Sequence, residues 1–160
     1  MMQIDIVTVG KLKEKYWTDA VQEYMKRLQA YCKCRVVELA EEKGSETAGD
    51  AEIERMITKE GERILASIGA DAVLVAMAIE GELWTSEKLA KSLDEWGIRG
   101  KSKVAFVIGG SHGLSEAVMK RADAKLSLSK MTFPHQMVRP ILLEQIYRAF
   151  KINRGEQYHK

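Results

Sequence analysis

The sequence predicts an α/β fold: a mostly parallel sheet with helices on both faces. Three observations carry that prediction. Runs with strand character alternate with runs of helical period along the whole chain. The strand runs are apolar on their faces rather than alternating, and Ala72-Val73-Leu74-Val75-Ala76-Met77-Ala78-Ile79 is apolar at every position, as a strand buried on both sides requires. Finally, the 160 residues contain no linker, repeat or low-complexity tract, so residues 1–160 form one domain, long enough to bury a core without staples.

Taken in order, Ile4-Asp5-Ile6-Val7-Thr8-Val9 is β-branched, ends at Gly10 and suits an interior strand. Apolar residues at 17, 20, 21, 24, 25, 28 and 31 set a helix over 16–31, with Glu23, Lys26 and Arg27 on the opposite side. Residues 36–39 make a short strand, and the acids, Gly and Ser of 41–49 read as a loop. Asp50 is placed to cap a helix in which Ile53, Ile57, Ile64 and Ile68 recur. Gly61 inside it costs up to ~1 kcal/mol. The third strand, 72–79, should stop at Glu80-Gly81. Thr85 then N-caps a helix through Trp96 that Gly97 ends. A fourth strand over 103–108, a short helix over 115–121, a fifth strand over 124–128 and a long helix between Pro134 and Ile152 complete the series. Pro140 leaves the start of that helix open, since 134–139 also suits a separate turn with Pro140 at the first helical position. Ile141, Leu142, Leu143, Ile146, Tyr147, Phe150 and Ile152 cover more than one stripe of it. Such breadth points to a homodimer through this helix, or to a helix buried deep within the monomer.

Composition excludes several classes. Net charge is +2, but residues 41–62 hold eight acids against three bases and residues 130–160 six bases against two acids. A cationic end suits a phosphate-bearing partner, and equally a solvated face. Cys32 and Cys34 are too close for a good disulfide, and no Cys/His pair follows at zinc spacing. Free thiols in a reducing compartment, with no metal, are expected. No apolar stretch approaches the ~20 residues of a membrane span. Met1-Met2-Gln3-Ile4-Asp5 also lacks the basic and apolar regions of a signal peptide. The expectation is a cytoplasmic protein with no membrane contact.

The uncommitted chemistry gathers in the last third. Gly109-Gly110-Ser111-His112-Gly113 follows an apolar strand, where open α/β sheets bind ligands, though tight packing alone also explains glycines. It fits neither the dinucleotide nor the phosphate-loop fingerprint. In the next strand-exit loop, Ser127, Ser129 and Thr132 suit an adenine edge or ribose, with Met131 and Phe133 on either side of a ring. A plain capping loop is the alternative. His135, Arg139, Arg154, Tyr158 and His159 are the remaining polar groups, and a tail bearing Arg, Tyr and His makes sense if it closes over a site. Lys11, Lys13 and Lys15 mark a basic loop suited to phosphate or simply to water. No Ser-His-Asp order, metal set or carboxylate pair stands out.

Four blocks are more specific: Phe106-Val107-Ile108-Gly109-Gly110-Ser111-His112-Gly113-Leu114; Leu128-Ser129-Lys130-Met131-Thr132-Phe133-Pro134-His135-Gln136; Tyr147-Arg148-Ala149-Phe150-Lys151-Ile152 with Arg154-Gly155-Glu156-Gln157-Tyr158-His159-Lys160; and Val7-Thr8-Val9-Gly10-Lys11-Leu12-Lys13 with Tyr16-Trp17. Together they resemble the ribosomal RNA large subunit methyltransferase H family, over nearly the whole chain.

The resemblance implies a SPOUT-type methyltransferase that uses S-adenosyl-L-methionine. Its implied fold has a C-terminal trefoil knot, which general topology rules would not propose. It implies a homodimer acting on N3 of a pseudouridine in 23S rRNA within the assembled ribosome. The cofactor residues it implies are Met77, Gly109, Leu128, Ser129, Lys130, Met131, Thr132 and Phe133, with Met77 standing where leucine is common. Removal of the N3 proton asks for a base. His135 or His159 suits that role or that of an orienter, with Arg154 stabilising developing charge or holding phosphate and Tyr158 stacking or hydrogen bonding. His112 falls where the family varies, which argues against a catalytic role for it. A non-catalytic rRNA-binding protein on the ribosome is the rival reading, and a small α/β enzyme with another nucleotide in the glycine turn is a third.

Overall fold

A computed structural model describes residues 1–44 and 47–160; residues 45 and 46 of the expected loop at 41–49 lie outside the described residues. The elements are β1 (Gln3–Val9), α1 (Lys15–Leu28), β2 (Lys33–Leu39), α2 (Asp50–Ala66), β3 (Val73–Leu83), α3 (Ser86–Ile98), β4 (Lys103–Ile108), α4 (Glu116–Arg121), β5 (Ala124–Ser127) and α5 (His135–Asn153). The strands lie in the order β2-β1-β4-β3-β5, and each of the four pairings is parallel.

Alternate residues of each strand feed two separate cores. Ile4, Ile6, Val73, Val75, Val104, Phe106 and Ile108 face α1, α3 and α5, through Val21, Leu28, Leu89, Leu93, Leu142, Leu143 and Ile146. Val7, Val9, Leu74, Ala76, Ala105 and Val107 face α2 and α4 through Ile64 and Val118. Two buried faces explain why the central runs, residues 73–76 of β3 and 104–108 of β4, are apolar at successive positions.

Several boundaries differ from the sequence expectation. Asp50 is the first helical residue and Gly49 the N-cap; the Asp50 carboxylate sits in the first turn, where the helix dipole favours it. Gly97 lies within α3, which runs on to Ile98, while Thr85 caps as expected by accepting from the Lys88 N–H at 3.0 Å. Glu80-Gly81 does not stop β3. The strand bulges between Met77 and Glu82 and rejoins β5, and a Cβ at Gly81 would lie 2.8 Å from the Lys125 carbonyl. Helix α5 starts at His135 and Pro140 sits inside it, at the loss of one main-chain hydrogen bond. Much of its wide apolar arc packs within the monomer: Leu142, Leu143, Ile146 and Ala149 are fully buried, while Tyr147, Phe150 and Ile152 touch the same core but stay half-buried.

Gly61 proves to be a contact, not merely a helix defect. A Cβ there would fall 2.2 Å from Ser115 Oγ and 2.9 Å from its Cβ, where α2 meets the start of α4. Gly61→Ala therefore gains up to ~1 kcal/mol of helix propensity but incurs about 1–3 kcal/mol of overpacking. We expect a net loss of about 1–2 kcal/mol, read as a drop of roughly 3–6 °C in the thermal midpoint. An unchanged or raised midpoint would show that α4 yields freely.

Candidate active site

A cavity of about 700 Å³ opens at the C-terminal ends of β3, β4 and β5 and the start of α5. Its floor is Met77, Ile108 and Leu126, its sides the Gly109–Gly113 turn and the β3 bulge at Ala78, Ile79 and Glu80, and its far wall Leu128, Ser129, Met131, Thr132, Phe133, His135 and Val138. The volume lies within the usual range for a small-molecule site. Of the eight expected cofactor residues, seven line it; Lys130 is exposed and does not.

The glycine turn is shaped by backbone approach. A Cβ at Gly109 would lie 2.7 Å from the Gly113 oxygen and 3.0 Å from Leu114 Cδ2, and the Gly113 N–H closes the turn onto the Gly110 carbonyl at 3.1 Å. The 128–133 loop is held by its own hydroxyls. Ser127 Oγ donates to the Ser129 carbonyl at 2.9 Å, and Ser129 Oγ accepts from the Met131 N–H at 3.0 Å. Those serines thus turn the loop, and main-chain groups with Thr132 remain to meet a ligand's polar edge. Met131 and Phe133 are both exposed at its rim, Met131 at 74%. Apolar walls, a glycine cradle and a Met131/Phe133 rim suit a small ligand with a flat ring and a polar edge.

His135, at the first turn of α5, is in the cavity wall. Its Nδ1 is buried and has no hydrogen-bond partner among the described residues. Burial, then the positive charge of Arg139, holds its pKa below the ordinary histidine value, with Glu41 opposing weakly. It is therefore neutral at neutral pH.

The other three expected catalytic residues are elsewhere. Arg154 follows the last turn of α5, about 28 Å along the helix from His135, and its guanidinium lies 4.5 Å from the centre of the Tyr31 ring. Tyr158 donates to Glu144 Oε2 at 2.8 Å. His159 bridges Arg148 (Nδ1, 3.1 Å) and Glu87 (Nε2, 2.5 Å). Burial, then the bond to Glu144, pushes the Tyr158 hydroxyl up to about 12, so it stays a proton donor. One chain thus brings His135 to the cavity and keeps Arg154, Tyr158 and His159 away from it.

Sequence reasoning missed the groups that hold the tail. Glu144 takes two hydrogen bonds from Arg148 (Nε 3.3 Å, Nη2 2.7 Å) as well as that from Tyr158. The i, i+4 spacing of Glu144 and Arg148 was the available signal. It also missed Glu60, on α2 behind the glycine turn. Oε2 of this buried carboxylate accepts from the Glu42 N–H at 2.9 Å, and its Oε1 would lie 3.5 Å from a Cβ at Gly110. Burial raises its pKa, Glu41 and Glu42 raise it further, and the Glu42 N–H bond offsets part of this. A raised folded-state value means Glu60 favours folding at low pH and that this contribution is lost as pH rises through that value. Glu60→Gln should therefore raise the thermal midpoint at pH 7.5, and the gain should vanish in acid. A lower midpoint at both pH values would overturn this.

Among the described residues there is no group of three His, Cys, Asp or Glu able to hold a metal ion, and no helix is long and apolar enough to cross a membrane. Cys32 and Cys34 are free thiols.

Comparison with known proteins agrees with this geometry. A family model described as "Predicted SPOUT methyltransferase" matches residues 2–159. Proteins named ribosomal RNA large subunit methyltransferase H are similar over 159 residues, 99% of this chain and 100% of each relative: 58% identical in Bacillus pumilus, 57% in Exiguobacterium sibiricum and 55% in Listeria monocytogenes. With a parallel α/β sheet and a glycine-lined cavity at its C-terminal edge, the chain belongs to the SPOUT methyltransferase family.

Proposed function

We propose that this protein is a cytoplasmic enzyme that methylates N3 of a pseudouridine in 23S rRNA on the assembled ribosome, using S-adenosyl-L-methionine held in the 700 Å³ cavity. The observation that carries the reading is the convergence of seven expected cofactor residues on one cavity with an unpaired histidine in its wall. The names of the full-length relatives support the RNA substrate. The C-terminal knot goes with this reading; its support is family membership together with β5 lying outside β3 and α5 returning across the sheet to α1 and α3.

S-adenosylmethionine bound there supplies an electrophilic methyl carbon. The chain's part is to hold, orient and deprotonate. Met77, Ile108, Leu126 and Leu128 exclude water from one side, and main chain around Gly109 approaches closely. His135, neutral at neutral pH, would take the N3 proton on Nε2, the ring nitrogen that is not buried, as N3 bonds to the methyl carbon and the carbon–sulfur bond breaks to leave S-adenosylhomocysteine. A placed base of this kind contributes roughly 10²–10⁴-fold. Exposed Lys11 and Lys13 lie on the loop after β1 and suit RNA phosphates, so replacing both should flatten the salt dependence of ribosome binding.

The distance from cavity to tail bears on assembly. We propose a homodimer in which each tail, with Arg154, Tyr158 and His159, serves the cavity of the other copy. The partly exposed rings of Tyr24, Tyr31, Tyr147 and Tyr158, in tilted and edge-to-face contact where the ends of α1 and α5 meet the tail, suit its interface. Mixing Gly109→Val with an Arg154→Ala/His159→Ala chain tests this. A shared site restores about a quarter of wild-type activity, because half the dimers are mixed and each has one intact site. A tail serving its own cavity restores none.

The direct test of the function is mass spectrometry of 23S rRNA after incubating the protein and S-adenosylmethionine with ribosomes lacking the modification. A methylated pseudouridine supports it. Ribosome binding without methyl transfer would favour the non-catalytic rRNA-binding alternative.

A further inference from the structure

Arg139 is fully buried, and the methyl-transfer scheme above gives it no task. Its Nη1 donates to Glu38 Oε2 at 2.7 Å and its Nη2 to the Gly10 carbonyl at 2.9 Å, while its Nε has no partner among the described residues. Glu38 Oε2 also accepts from the Leu12 N–H at 3.3 Å. The second turn of α5, the end of β2 and the loop leaving β1 therefore meet on one guanidinium. Its side chain is 1% exposed, against 35% for Glu38.

A buried ion pair of this kind is a weak source of stability, since an apolar side chain of similar volume often does as well. What a guanidinium adds is direction, two N–H groups in a rigid fork. One helical turn before Arg139, on the same face, is His135. We propose that Arg139 is a positioning residue for methyl transfer, tying the start of α5 to the ends of β1 and β2 so that His135 is presented to the target base from a fixed place in the cavity wall. This rests on the reading of His135 as proton acceptor. Burial and then Arg139 on its own helix both disfavour the His135 imidazolium, and Glu41 beyond β2 opposes them more weakly. Glu80, which lines the same cavity, Glu38, which faces Arg139, and Glu60, behind Gly110 with Glu42 beside it, are further acids at this end of the sheet.

Wild-type activity on unmodified ribosomes is measured first, and its absence would sink the methyltransferase reading and this proposal together. With activity present, two variants separate geometry from charge. Arg139→Lys keeps a cation and loses the fork, and Glu38→Gln/Arg139→Met removes both charges so that no carboxylate is left uncompensated. Thermal melting establishes folding, and calorimetry gives S-adenosylmethionine affinity. Both folded variants should bind the cofactor within about threefold of wild type while kcat falls roughly 10–100-fold, the scale of a small misplacement at a reacting centre. The acid limb of kcat should stay in place in Arg139→Lys and move to higher pH in the double variant. With three histidines in the chain, NMR titration should show the same upward move for His135 alone. A kcat within twofold of wild type in either folded variant would overturn the proposal. So would a fall in kcat matched by an equal fall in cofactor affinity, which would leave Arg139 a structural residue only.

Discussion

Gly109→Val should abolish cofactor binding while leaving the fold intact. The atoms a Cβ would meet, the Gly113 oxygen at 2.7 Å and carbon at 2.8 Å, belong to the main chain of the same turn and cannot swing aside as a side-chain tip would. Valine adds two methyls beyond that Cβ, so the turn must open and the cavity wall built on 109–113 moves with it. β4 ends at Ile108, so its pairing with β1 and β3 should survive. We expect S-adenosylmethionine affinity to fall at least ~100-fold, about 2.7 kcal/mol, with an unchanged far-ultraviolet circular dichroism spectrum. Saturable binding within about fivefold of wild type would place the cofactor elsewhere.

His135→Asn should act at the other stage of the reaction, lowering kcat roughly 10²–10⁴-fold with cofactor affinity nearly intact. Asparagine keeps a polar group in the wall but accepts no proton near neutral pH. Because burial, and then Arg139, disfavours the protonated imidazole, the wild-type acid limb should lie below the ordinary histidine value of ~6.5. Activity falls as pH drops through that limb, and the variant should lose it. A variant turning over within fivefold of wild type would move the base to His159, whose ring sits between Arg148 and Glu87 in the single chain.

Gly109 was visible as a glycine-rich turn after an apolar strand, a pattern with a physical meaning in any open α/β sheet. The strands and helices were equally legible, because each buried face leaves its own period in the chain. The β3 bulge was not: Glu80-Gly81 looks like a stop, and only the close approach to Lys125 shows why glycine is needed there. Arg139 and Glu38, 101 positions apart, carry no local signature of being partners.

The sequence by itself determined the fold class, the order of elements and, through its distinctive blocks, the family. Those properties are written in local periodicity and in residues adjacent along the chain. Only the folded chain shows that Lys130 faces solvent, that Ser127 and Ser129 hold the 128–133 loop itself, and that α5 buries Leu142, Leu143, Ile146 and Ala149 within the monomer. It also puts Arg154 a helix length from His135 and folds Tyr158 and His159 back onto Glu144 and Arg148 in the middle of α5, clear of the cavity. The reason is geometric: a 19-residue helix holds its first and last residues about 28 Å apart, a separation that residues adjacent in sequence do not reveal.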